Sequence, residues 1–198
     1  MLQINELIFK WPNSIQLEVN LDASAGEIVL IGGPSGIGKT TLFNIISGFY
    51  EPVCGSVIFN GKYLLCKPPW KRPVSTMFQS DNLFPHLSVR QNLMLGINKI
   101  SEDIENHLHF LKIFSFIDRK CNELSGGQLQ RVALIKTLSR EKPIILLDEP
   151  FSALDGDMIK KASILIQEHT KKTKSTTLII SHQEVRPYLE VEKRIELS

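Results

Sequence analysis

The sequence predicts an α/β fold with a parallel-sheet core, an antiparallel β-rich start and a helical segment inserted at about residues 85–138. Three observations carry this reading. Ile28-Val29-Leu30-Ile31, Ile144-Ile145-Leu146-Leu147 and Leu178-Ile179-Ile180 are short unbroken apolar runs; such runs suit strands buried on both faces, as in a parallel sheet covered by helices. Residues 2–21 instead alternate apolar and polar in places, through Leu2, Ile4, Ile15, Leu17, Val19 and Leu21, the mark of half-buried antiparallel strands. Between and after the runs the apolar period changes to that of a helix.

Taken in order, the run at 28–31 leads into a glycine-rich turn and then Leu42-Phe43-Asn44-Ile45-Ile46, a plausible helix. Ser56-Val57-Ile58-Phe59 is followed by Asn60-Gly61, a strong hairpin-turn signal. Ser101-Glu102-Asp103 opens a segment with Ile104, Leu108 and Leu111 on one face, its acids placed where a helix dipole favours them. Residues 157–170 form another helical segment, and Lys171, Lys172 and Lys174 read as its solvated end. The whole chain, 1–198, is read as one domain: core and β parts at about 1–84 and 139–198, and the helical part at about 85–138.

Composition narrows the function. The 198 residues, 42% apolar and 22% charged, describe a globular chain with a sizeable core. Twenty-three Lys and Arg against 21 Asp and Glu leave a net charge of +2, too small to draw in nucleic acid by long-range attraction. Cys54, Cys66 and Cys121 are scattered without CxxC spacing, as expected of reduced thiols. The start, Met-Leu-Gln-Ile-Asn-Glu, lacks the pattern of a signal peptide, and no run of about 18 apolar residues would cross a bilayer. The expectation is a cytoplasmic protein that works at a membrane only if another chain holds it there.

Two stretches carry recognisable chemistry. Gly33-Pro34-Ser35-Gly36-Ile37-Gly38-Lys39-Thr40-Thr41 matches GxxxxGK[ST] and lies between a strand-like run and a helix, the context a phosphate-binding loop requires. Its backbone N–H groups would cradle phosphate oxygens, Lys39 would neutralise the β- and γ-phosphates, and the Thr40 hydroxyl would ligate Mg²⁺. The four fixed positions coincide by chance in roughly one chain of this length in a hundred, so a nucleotide site is the better reading. Ile144-Ile145-Leu146-Leu147-Asp148-Glu149-Pro150 brings two carboxylates to the end of a buried strand, where open α/β sheets bind ligands. Asp148 would hold Mg²⁺ through water and Glu149 would act as general base on the attacking water.

Leu124-Ser125-Gly126-Gly127-Gln128, placed between these two motifs, resembles the signature sequence of the ATP-binding cassette (ABC) ATPases. As local chemistry, Ser125 is a good helix N-cap, but a cap alone does not call for two glycines and a glutamine. The resemblance covers essentially the whole chain to His182. It implies a P-loop ABC-type ATPase core with an N-terminal antiparallel β subdomain and an inserted helical signature subdomain. It also implies that Gln79 in Met77-Phe78-Gln79-Ser80 touches Mg²⁺ and the lytic water, and that His182 after Ile180-Ser181 contacts the γ-phosphate. Ser152-Ala153-Leu154-Asp155 resembles the loop through which two sites communicate, placing Asp155 at the nucleotide. The adenine would stack on Trp11 or Phe9, with Trp11 preferred. Two cassettes would pair head to tail over two ATP, each site completed by Ser125, Gly126, Gly127 and Gln128 of the other chain.

Within the family, Pro68-Pro69-Trp70-Lys71-Arg72-Pro73-Val74-Ser75 and Asn82-Leu83-Phe84-Pro85-His86-Leu87 resemble ATPase subunits of bacterial importers. Thiamine importers match best; iron(III), molybdate and polyamine importers fit the upstream part less well. This implies integral membrane channel subunits as partners, a substrate-binding protein engaged indirectly, and a place on the inner face of the cell membrane. Residues 80–98 would line the groove for the channel, or else pack inside the helical part. An exporter ATPase shares the catalytic motifs, a non-transport ABC ATPase is a further alternative, and a P-loop kinase leaves Leu124–Gln128 unexplained. Only 16 residues follow His182, so the far edge of the core is expected to be trimmed.

Overall fold

The computed structural model describes residues 1–10, 16–80, 82–183 and 187–198. β1 (Leu2–Phe9), β2 (Leu17–Ala23), β4 (Cys54–Phe59) and β5 (Lys62–Tyr63) form an antiparallel sheet in the order β2-β1-β4-β5. Along β2, residues alternate between buried and exposed from Leu17 to Ala23. The β4–β5 turn is Asn60-Gly61, both at positive φ (49° and 74°), as the tight hairpin turn requires.

β6 (Val74–Met77), β7 (Ile144–Asp148), β8 (Thr176–Ile180), β3 (Ile28–Gly32) and β9 (Lys193–Glu196) form the second sheet in that order, every neighbouring pair parallel. β3, β7 and β8 are buried at every position, because each face has its own cover. Val29, Ile31, Ile144, Leu146, Leu178 and Ile180 pack with the antiparallel sheet and α1 (Lys39–Ser47). Ile28, Leu30, Ile145, Leu147 and Ile179 pack with α4 (Gly126–Leu138), α5 (Gly156–Thr173) and the short helices between residues 89 and 123. α2 (Val89–Met94) and α3 (Glu102–Phe110) belong to that second layer; Ile104, Leu108 and Leu111 face inward as their spacing predicts.

One strand among the described residues after His182 lines the far edge of the sheet. β9 lies beside β3, the Leu197 N–H donates to the Gly32 carbonyl at 3.1 Å, and Leu197 is buried. The run after His182 is short, yet four residues in strand register suffice to cover β3. The stretch before Gln79 has a structural job as well. The buried Arg72 guanidinium donates to the carbonyls of Ile45 (2.6 Å) and Ile46 (3.1 Å), closing the end of α1, and the Ser75 hydroxyl donates to the Thr137 carbonyl of α4 at 2.8 Å. Asn82 then exchanges two hydrogen bonds with the Phe78 backbone, at 2.7 and 2.6 Å. The segment bearing Gln79 is therefore pinned to both helices.

Candidate functional site

β3 delivers the chain into the phosphate loop, and α1 starts directly after it. Gly33 and Gly38 sit at φ 129° and 114°. A Cβ at Gly33 would stand 2.6 Å from the Leu197 carbonyl oxygen, and one at Gly38 2.7 Å from the Phe9 ring. Glycine is needed there for conformation and for room. Gly38 also caps α1 without a side chain, so no hydroxyl or carboxylate competes for the unpaired N–H groups of the first turn. The Lys39 ammonium is folded back over the loop and donates to the carbonyls of Gly33 (2.8 Å) and Pro34 (2.9 Å). The Thr40 hydroxyl donates to Asp148 Oδ2 at 2.7 Å, across 108 residues of sequence.

Asp148 closes β7 and is 2% exposed; Glu149 follows at 8%. Burial, the largest influence on each, holds both carboxyls above the usual carboxylate range. The Thr40 hydrogen bond opposes this at Asp148, and the His182 N–H opposes it at Glu149. Glu149 adopts φ 51°, a conformation that costs a non-glycine residue about 1–3 kcal/mol. Its N–H donates to the Ile180 carbonyl at 2.9 Å and its Oε2 accepts the His182 N–H at 3.4 Å. Its Oε1 is buried without a hydrogen-bond partner, and the His182 imidazole Nε2 lies 3.5 Å away. An orphaned buried acceptor costs about 1–3 kcal/mol, so a strained residue is holding an unsatisfied oxygen at the cleft.

One cleft of about 390 Å³ takes in the loop residues from Ser35 to Thr41 other than Ile37, with Gln79, Asp148, Glu149 and His182. Ile37 packs against the core instead. Trp11 lies outside the described residues. Phe9 is buried under Gly38 at 4% exposure, which removes it as a free face for a base.

The signature residues do not line this cleft. Ser125 caps α4: its hydroxyl accepts the Gln128 N–H at 3.4 Å, and Gln128 Oε1 accepts the Ser125 N–H at 2.8 Å. This reciprocal box corrects the idea that a cap leaves the glutamine unexplained. Gly127 is explained by contact: a Cβ there would stand 2.7 Å from the Ala153 carbonyl oxygen. Asp155 caps α5, its carboxylate accepting the Met158 N–H at 2.9 Å. Sequence reasoning missed Gln130, whose amide reaches Glu149, Ser152 and Ala153. No local pattern marks it, because its partners lie 19 to 23 residues away.

Comparison with known proteins decides the family. Residues 17–152 match the family described as ABC transporter. The chain belongs to the ABC transporter family. It is 43% identical over 190 residues to the thiamine import ATP-binding protein ThiQ of Haemophilus influenzae, covering 92% of this chain and 88% of that one. Against the Escherichia coli K12 protein of the same name the figures are 41% over 189 residues, 92% and 81%. Among solved structures, the ATP-binding cassette MJ0796, dimeric and bound to ADP and Pi, matches with a TM-score of 0.83 at 29% identity, covering 100% of this chain and 94% of that one. A nucleotide-free ATP-binding cassette from an ABC transporter gives 0.80 at 27% identity, over 95% and 84%.

This ABC ATPase therefore hydrolyses ATP, and its cleft suits that substrate with Mg²⁺. The donors that meet there, the Thr40 hydroxyl and the Asp148 carboxylate with the Gln79 amide in the same cleft, are all oxygen, as a hard cation prefers. Among the described residues no three His, Cys, Asp or Glu side chains gather as a metal cage.

Proposed function

We propose that this chain is the energy-coupling ATPase subunit of a bacterial ABC importer, with thiamine as cargo. The observation that carries the cargo is the 43% and 41% identity to two thiamine import ATP-binding proteins over 92% of the chain. In this reading two copies pair head to tail, and Ser125, Gly126, Gly127 and Gln128 of one face the phosphate loop of the other. Their absence from the cleft of a single chain supports that arrangement, as does the dimeric relative MJ0796. Channel subunits hold the pair at the inner face of the membrane, a reading supported by the likeness to import ATP-binding proteins.

At each site Lys39 leaves the carbonyls of Gly33 and Pro34 for the β- and γ-phosphates, and the loop N–H groups bind their oxygens. Thr40, Gln79 and, through water, Asp148 would hold Mg²⁺, which when bound would neutralise charge on the phosphates. Glu149 Oε1 accepts a proton from water as that water's oxygen bonds to the γ-phosphorus. The bond to the bridging oxygen breaks, ADP leaves, and Glu149 returns the proton to solvent. A carboxyl raised by burial is a better base near neutral pH than an ordinary one. His182 donates to the γ-phosphate and keeps Glu149 aimed. Asp155, at the start of α5, lies beside the opposite site.

Uptake of labelled thiamine tests the cargo, in cells with no other thiamine transporter and this chain as the sole ATPase. Lys39→Ala at equal expression should abolish uptake. Unchanged uptake would sink the thiamine reading and turn the test to iron(III), molybdate and polyamines.

A further inference from the structure

Gln130 sits in the second turn of α4, two residues beyond the capping box, and spends its whole side chain on the segment that carries Glu149. Its Nε2 donates to the Glu149 carbonyl at 2.7 Å and to the Ser152 hydroxyl at 2.9 Å, and its Oε1 accepts the Ala153 N–H at 2.7 Å. The Ser152 hydroxyl in turn donates to the same Glu149 carbonyl at 3.2 Å. Both amide hydrogens and the amide oxygen are thus committed to one loop.

We infer that Gln130 is a positioning residue, aiming the Glu149 carboxylate by holding its backbone carbonyl and tying that aim to the signature helix α4. The inference rests on the proposed role of Glu149 as base. Left-handed backbone at a non-glycine residue persists only where its surroundings over-determine it. Here the Glu149 N–H is fixed from the core sheet by the Ile180 carbonyl, and its C=O is fixed from α4 by Gln130. α4 also runs close to this loop at Gly127, where a Cβ would stand 2.7 Å from the Ala153 carbonyl oxygen. The orphaned Oε1 sits at the end of this braced residue. If the brace is cut, the peptide can relax from φ 51° and carry the carboxylate off line, and a misplacement of about 1 Å costs about 100-fold in rate.

Two variants separate aim from bulk. Gln130→Met keeps the length and loses every hydrogen bond; Gln130→Glu keeps an acceptor for Ala153 and loses the donor to Glu149. Both should lower kcat by about 10- to 100-fold and leave KM for ATP within about threefold. In a Glu149→Gln background, Gln130→Met should slow single-turnover hydrolysis no further, and the double variant should still form the ATP-bound dimer on size exclusion. Wild-type kcat in both variants, an equal loss in the Glu149→Gln background, or loss of the ATP-bound dimer would each overturn the positioning role. If Gln130→Met does not fold by thermal melting, Gln130→Glu decides alone. Should Glu149→Gln itself hydrolyse ATP at the wild-type rate, the base reading falls and this inference with it. Should it be inactive while Gln130→Met is fully active, only the positioning role falls.

Discussion

The phosphate-loop end and the signature end of this cassette are built on opposite plans. At the phosphate loop the polar groups are provisional: Lys39 rests on its own loop carbonyls, Thr40 and Asp148 hold each other, and Glu149 Oε1 has no partner. Backbone strain collects there too, at Glu149. At the signature end every motif residue has finished its own structure. Ser125 and Gln128 close a capping box, Gly127 is packed on Ala153, and Asp155 caps α5. One end is incomplete until a ligand replaces the stand-in partners, whereas the other is a completed surface ready to be presented to something else. The comparison can be broken wherever the first end proves stable by itself or the second proves strained.

Glu149→Gln is the largest test. Removing the proposed base should lower kcat by about 10³-fold, measured by phosphate release, while raising thermal stability. The sign follows from the buried carboxyl, which burial holds above its ordinary 4.5. A folded-state value above the unfolded one means that the ionised form destabilises the fold above pH 4.5. The neutral amide should therefore be the more stable of the two at pH 7, and the gain should vanish below pH 4.5. A lower melting temperature at pH 7 would show that the cleft is not a strained end.

His169 supplies a control, because its Nε2 is also buried and unpartnered but lies far from either motif. Burial, helped by the nearby charges of His107 and Lys172, pushes it down to about 4 from 6.5. Here the unfolded chain takes up a proton that the folded chain refuses, so stability falls as pH drops from 6.5 to 4. Relative to His169→Gln, the wild type should lose about 3 kcal/mol over that window, read from urea midpoints, with no change in kcat at pH 7. A parallel pH dependence of the two proteins would remove the control. An orphaned polar atom marks chemistry only where other functional groups converge on it.

Gly127→Ala and Gly126→Ala probe the finished end. A Cβ at 127 meets a backbone oxygen at 2.7 Å, whereas one at 126 meets only the Ala153 methyl at 3.9 Å. Ala153 cannot shift easily, since Gln130 holds its N–H. Gly127→Ala should cost about 1–3 kcal/mol, which is several degrees of melting temperature, and Gly126→Ala should cost almost nothing in the isolated chain. Equal melting temperatures would mean that the loop at Ala153 gives way and the end is not rigid.

Legibility in the sequence follows the range of the interaction. The apolar runs at 28–31, 144–147 and 178–180 announced β3, β7 and β8 because burial on both faces is written into each residue in turn. The phosphate loop was legible because its glycines and Lys39 act through backbone shape within nine residues. β9 was not legible, since Lys193–Glu196 is short, mostly charged and placed only by its register on β3. Nor were the left-handed Glu149 and the Gln130 brace, which depend on contacts between distant segments. The segment 80–98 separated only in three dimensions: Val89 is core, while Phe84 stays 52% exposed beside the groove lined by Leu83 and Pro85.

The smallest effect is the most discriminating. Ser125→Ala deletes the cap acceptor of a bond already 3.4 Å long, so its stability cost should sit at the low end for a lost N-cap, about 0.5–1 kcal/mol, or about 2 °C. If capping were the only task of Ser125, ATPase activity would fall no further than that loss of folded chain allows, at every protein concentration. If the serine also faces the nucleotide of a second copy, the deficit should appear mainly at low concentration, where the pair must form, and shrink as concentration rises. Activity measured across a hundredfold range of concentration reads the difference directly. A loss no larger than the folded fraction allows, at every concentration, would confine the signature end to the structure of its own chain.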